Sequence, residues 1–161
     1  MKIGIMADSH DNLTNIKKAV EVFNKEKIDL LLHAGDFVSP FTAKELKNIH
    51  CPFAGVFGNN DGDKPLLINQ FQQIGPIYPE PYKTEIDRKK IIMFHKNEVI
   101  ADLAKSQQYD LIIYGHTHKI DHYKEGRTTV INPGECGGWL TEKSTIAILK
   151  LPDLQVRFID L

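Results

Sequence analysis

Between residues 2 and 73, short apolar runs alternate with stretches of helical periodicity, and few architectures accept that order. Residues 2–7 form a β-rich run. Within 15–27, Ile16, Ala19, Val20 and Phe23 repeat at i, i+3, i+4 and i+7, the apolar stripe of an amphipathic helix. Residues 28–32 are short and apolar, as strands covered on both faces are. Pro40 suits the first turn of a helix running through 42–48. Residues 53–57 read as a third strand, and 64–73 as a short helix stopped by Gly75-Pro76. This β-α-β-α-β order predicts a parallel sheet with helices packed on it.

The second half continues differently. Residues 77–86, rich in Pro and Tyr, read as one irregular or edge strand. A strand at 90–94, a helix at 98–106 and a buried strand at 111–114 follow. Four further strands are expected at 120–124, 128–131, 144–150 and 155–159, with turns at Glu125-Gly126, Pro133-Gly134 and Pro152-Asp153. With 161 residues and no repeat or long linker, the expectation is one domain spanning 1–161.

The ends of the apolar runs carry the chemistry. Asp8-Ser9-His10 follows the first run and His33-Ala34-Gly35-Asp36 the second. Gly58-Asn59-Asn60-Asp61 follows the third, His95 the run at 90–94, and Gly115-His116-Thr117-His118 the run at 111–114. Carboxyl ends of parallel strands form the usual site edge, so residues scattered along the chain are expected to converge. Asp8 with His10, and His116 with His118, stand at i and i+2, which share a face in extended chain. Gly35, Gly58 and Gly115 suit tight turns.

Imidazole, carboxylate and amide oxygen together suit Mn, Fe, Zn, Co or Ni. The absence of cysteine from the set argues against structural zinc, and its histidines argue against a pure Ca or Mg site. Cys51 and Cys136 are expected to be free thiols in a reducing cytoplasm. Net charge is −1 with interspersed signs, so there is no electrostatic signal for nucleic acid or a membrane surface. No run approaches the roughly 20 apolar residues of a membrane span, and the first residues meet Asp8 too soon for a signal peptide.

The ordered set Asp8-Ser9-His10, Gly35-Asp36, Gly58-Asn59-Asn60-Asp61, His95 and Gly115-His116-Thr117-His118 resembles the calcineurin-like metallophosphoesterases. The compact length and Asn132-Pro133-Gly134 resemble its small YfcE-like phosphodiesterase branch. The resemblance implies an α/β fold, a two-sheet α/β sandwich with flanking helices. It implies that Asp8, His10, Asp36 and His118 bind one divalent transition metal, and that Asp36, Asn59, His95 and His116 bind a second, with Asp36 bridging. Manganese leads, with Ni, Co, Fe or Zn as alternatives. It further implies hydrolysis of a small phosphodiester by a metal-bridging hydroxide, with Asp36, Asn59, Asn60 and His95 as the catalytic set.

Two departures stand out. The family commonly has His where this chain has Asn60, and Gly where it has Lys96. An interaction scaffold, as in a eukaryotic retromer subunit with this fold, is the competing function, and a nuclease is another; a homo-oligomer is left open. All seven candidate ligands are present, which favours an enzyme. His33 is expected in a supporting position, His50 and His122 at the surface, Cys136 as a bystander, and Asp61 orienting a neighbour. Trp139 and Phe41 either line a pocket or pack.

Overall fold

The computed structural model describes residues 1–161. Five parallel-type strands lie where the apolar runs placed them: β1 (Lys2–Met6), β2 (Leu30–His33), β3 (Phe53–Val56), β6 (Lys89–Met93) and β7 (Leu111–Ile113). The first helix follows the predicted stripe, and the second is shorter than the span 42–48 expected for it. In α1 (Leu13–Glu26), Ile16, Ala19, Val20 and Phe23 are buried, and Asn12 caps the start by accepting from the Asn15 N–H. A 3₁₀ turn at Pro40–Thr42 leads into α2 (Ala43–Leu46). Then come α3 (Lys64–Phe71), capped by Asp63, and α4 (Ile100–Ser106).

The run at 77–86 is not one strand. It divides into β4 (Ile77–Tyr78), which pairs with β3, and β5 (Tyr82–Ile86), which pairs with β6. The intervening Pro79-Glu80-Pro81 carries the chain from one sheet to the other, because proline cannot donate to a ladder and stops both strands. The chain closes with β8 (Ile120–Glu125), β9 (Thr128–Pro133), β10 (Thr145–Lys150) and β11 (Gln155–Asp160).

Two mixed sheets result. The first has the order β11-β10-β1-β2-β3-β4 and the second β5-β6-β7-β9-β8. They pack face to face through Ile3, Ile5, Leu32 and Val56 on one side and Ile91, Met93, Leu111, Ile113 and Ile131 on the other. The outer face of the first sheet is covered by α1, α2 and α3 through Phe23, Leu46, Phe53, Leu67 and Phe71. Ile100 and Ala104 of α4 cover Ile92, Ile112 and Val130 on the second. This is an α/β sandwich with helices on both outer faces, and burying four apolar sheet faces is what stabilises it. The candidate ligands follow the carboxyl ends of β1, β2, β3, β6 and β7. They therefore come from both sheets, not from the single sheet that the first-half alternation suggested.

Candidate metal centre

The backbone at the strand ends is bent away from strand geometry. β1 and β7 end at Met6 and Ile113, so neither the Asp8–His10 pair nor the His116–His118 pair owes its direction to strand alternation. Asp8, His10, Asp36, His116 and His118 instead all have positive φ, between 42° and 68°. Each such residue costs about 1–2 kcal/mol in the left-handed region, so the surrounding hydrogen bonds must hold it there. Asp8 N–H donates to Gly35 O at 3.0 Å and His10 N–H to Asp36 O at 3.1 Å, stitching the β1 and β2 ends together. The second sheet is joined across the gap, where His116 N–H donates to Asp8 Oδ2 at 3.0 Å, while Gly115 N–H donates to His95 O at 3.1 Å within that sheet.

Two glycines have distinct reasons. Gly35 has φ +91°, and a Cβ there would strike the His95 ring. Gly58 needs no special φ; a Cβ on it would overlap the Asp36 carboxylate and backbone nitrogen.

The side chains converge in two overlapping groups, Asp8-His10-His118 and Asp8-Asp36-His95, with potential ligand atoms in each within 4.8 Å of one another. His10 Nε2 lies 3.4 Å from Asp36 Oδ2 and 3.9 Å from Asp8 Oδ1. His118 Nε2 lies 3.7 Å from Asp8 Oδ1, and His95 Nε2 3.3 Å from Asp36 Oδ2. Asp8 belongs to both groups, and Asp36 Oδ2 faces His10 of the first as well as His95 of its own. His95 Nε2 also lies 2.8 Å from Asn59 Oδ1. His116 is outside both groups, with its ring centroid 5.1 Å from that of His95. The pair His116 and His118 therefore separates across the cleft.

Electrostatics mark the centre as charge-hungry. Asp8 and Asp36 are buried, and every ion pair of either is to a histidine. Burial pushes the Asp8 carboxyl up to about 7. Burial would raise Asp36 as well, but hydrogen bonding and charge from His95 and the donors of Asn60 outweigh it and hold Asp36 well below the usual range. Burial lowers His10; burial also opposes charge on His95, but Asp36 prevails there and raises it. The His95 Nδ1 faces Ala34 O at 2.9 Å and so carries a hydrogen. In the neutral ring Nε2 is then a lone pair facing two more acceptors, Asn59 Oδ1 and Asp36 Oδ2. Such a cluster wants a proton or a cation at its middle. His10 Nε2 is likewise buried without a hydrogen bond. The donor set fits a divalent transition metal on these grounds.

The remaining expected residues are distinguished by contact. Asn60 donates to Asp36 twice, from its backbone to Oδ1 and its side chain to Oδ2, each at 2.8 Å. Asp61 accepts from Val38 N–H at 2.6 Å and Gly58 N–H at 2.7 Å, bracing two site loops. His33 is buried, stacks on Phe37, and bonds Ser9 and the Gly35 amide, which makes it a support of the β1 and β2 loops. His50 and His122 are exposed, and Cys51 and Cys136 are free thiols. Trp139 donates its indole N–H to His10 O and stands at the rim, whereas Phe41 lines a separate hollow with Lys44 and Lys47.

Two carboxylates were not anticipated. Glu80 accepts from the backbone N–H of His95 and Lys96, and Glu135 lies 3.3 Å from His118. Glu135 follows Asn132-Pro133-Gly134 directly, and that position was the available signal. Nothing local marks Glu80.

The sequence profile of the calcineurin-like phosphoesterase superfamily domain matches residues 1–153. A phosphodiesterase of Methanocaldococcus jannaschii is 43% identical over 153 residues, covering 92% of each chain. A solved archaeal phosphodiesterase superposes with a TM-score of 0.93 at 41% identity, over 100% of both chains. Vps29 of Chaetomium thermophilum superposes with a TM-score of 0.73 at 16% identity, over 100% of this chain and 97% of its own, a likeness of fold alone.

Proposed function

The chain belongs to the calcineurin-like phosphoesterase superfamily, a hydrolase family, and from that premise we propose that it is a phosphodiesterase working with two divalent cations, manganese foremost. One observation carries the reading: two buried carboxylates whose ion-pair partners are all histidines, one of them His10, whose buried Nε2 faces them without a hydrogen bond. Asp8, His10, Asp36 and His118 would hold one cation, and Asp36, Asn59, His95 and His116 the other. Bound there, the pair supplies Lewis acidity that acidifies water and neutralises charge on the phosphate.

The chain's own residues orient that chemistry. Ala34 O fixes the His95 tautomer, leaving Nε2 free of hydrogen in the neutral ring. Asn60 fixes the plane of the Asp36 carboxylate with two hydrogen bonds. The His116 amide holds Asp8. Room on both sides of the centre favours a diester. Beside Asn59 lies a cleft of about 530 Å³ lined by Phe57, Lys64, Ile68 and Lys96, with Lys64 Nζ 5.3 Å from the Phe57 ring centre. Beside His118 lies a second of about 250 Å³, bordered by Lys119 and Lys143. An anionic phosphodiester with one organic arm on each side suits this arrangement. A reducing cytoplasm suits the two free thiols, and no helix is long and apolar enough to cross a membrane.

Protein loaded with Mn, Ni or Co should hydrolyse bis-nitrophenyl phosphate and lose the activity on chelation, regaining it when metal is restored. Full turnover by protein shown metal-free by elemental analysis would refute the reading.

A further inference from the structure

Glu135 is fully buried, yet the metal-centre chemistry described above makes no use of it. It follows β9 and points into the space between His118 and the loop at 139–141. Its Oε2 is 3.3 Å from His118 Nδ1, in contact though poorly aligned, and that nitrogen is buried and makes no hydrogen bond. The other ring nitrogen, Nε2, is the one turned toward Asp8.

The same carboxylate gathers the loop. Oε1 accepts from the backbone N–H of Trp139 and, at 3.0 Å, of Leu140. Oε2 accepts from Leu140 N–H at 3.3 Å, Thr141 N–H at 3.1 Å and Thr141 Oγ1 at 3.0 Å. Trp139 in turn reaches back to His10 O at 3.0 Å. One buried carboxylate therefore touches a candidate ligand and the rim loop, and the rim loop touches a second candidate ligand.

We propose that Glu135 is a positioning residue for the metal centre: it serves as the acceptor that keeps the ring hydrogen of His118 on Nδ1, so that Nε2 faces Asp8 as a free lone pair, while pinning the 139–141 loop at the rim. A carboxylate suits both tasks because it accepts only, with lone pairs enough for several donors. An amide in its place puts N–H groups where an acceptor is needed. His118 then answers with its other tautomer, which places hydrogen on Nε2 and removes the lone pair a cation requires. The inference rests on the two-cation reading above.

The test is Mn²⁺ titration by calorimetry, with elemental analysis of bound metal, on wild type, Glu135→Gln and Leu140→Pro. Trp139 is the only tryptophan, so its emission reports the loop independently of metal and of catalysis. Glu135→Gln should bind one of two Mn²⁺ ions about 10- to 100-fold more weakly, the size typical when a ligand's supporting partner is lost. Leu140→Pro deletes the amide shared by both oxygens; it should shift Trp139 emission and leave both Mn²⁺ affinities near wild type. If Glu135→Gln binds two ions as wild type does, Glu135 does not position His118. If Leu140→Pro weakens Mn²⁺ as much as Glu135→Gln, the carboxylate acts only through the loop, and the proposal is likewise overturned. A wild type that binds no Mn²⁺ would instead overturn the two-cation reading beneath it.

Discussion

Asn60 holds Asp36 with a backbone and a side-chain N–H, but its amide has no proton to give a leaving group at ordinary pH. General acid catalysis commonly contributes about 10²–10⁴-fold. Without it, rates across a series of diesters should fall steeply as the leaving-group pKa rises, with nitrophenyl esters fast and alkyl esters slow. Asn60→His should flatten the slope by helping the poorest leaving groups most. A wild-type series already flat would show that another group supplies the proton. Individual side chains were the most legible level of the site: every candidate ligand followed an apolar run, and strand ends are where a sheet exposes side chains to a shared cleft. His116 is the residue whose placement the reading anticipated least well, since its ring turns toward His95 and stands outside both clustered groups. Glu80 and Glu135 were illegible for a different reason. Their contacts to the site, from Glu80 to His95 and from Glu135 to His118, join segments about 15 residues or more apart, and no local spacing encodes that.

The strand–loop unit explains why so few residues suffice. β2 and β3 are short and buried, and the loops leaving them interlock where Asn60 donates to Asp36 and Val38 donates to Asp61. Gly58→Ala would push a methyl group into the Asp36 carboxylate, a change comparable with overpacking at about 1–3 kcal/mol. Gly62, only four residues on, has nothing within 4 Å of where its Cβ would be. Urea denaturation should therefore show Gly58→Ala markedly less stable and Gly62→Ala close to wild type; equal midpoints for the two would remove the steric account of that loop. At this scale the apolar runs located nearly every strand to within two or three residues. The exception was 77–86. Both its halves look β-like, and which sheet each half joins depends on partners far along the chain.

For the whole molecule, the order of elements predicted a parallel sheet with helices, and the family resemblance supplied the second sheet that periodicity alone left unassigned. The reason is physical: alternation reports that a strand has a buried face, not which sheet buries it. Packing the two sheets brings the ends of β1, β2 and β3 against those of β6 and β7, and Asp36 then stands between His10 and His95 with contacts to both. The central claim is that this carboxylate serves two cations at once. Electron paramagnetic resonance of the Mn²⁺-saturated protein tests it directly, because ions sharing a bridge, about 3.5–4 Å apart in dinuclear hydrolases, are magnetically coupled. Wild type should give a coupled two-ion spectrum, and Asp36→Ala should lose it. A saturated wild type showing only isolated Mn²⁺ signals would contradict the bridged centre.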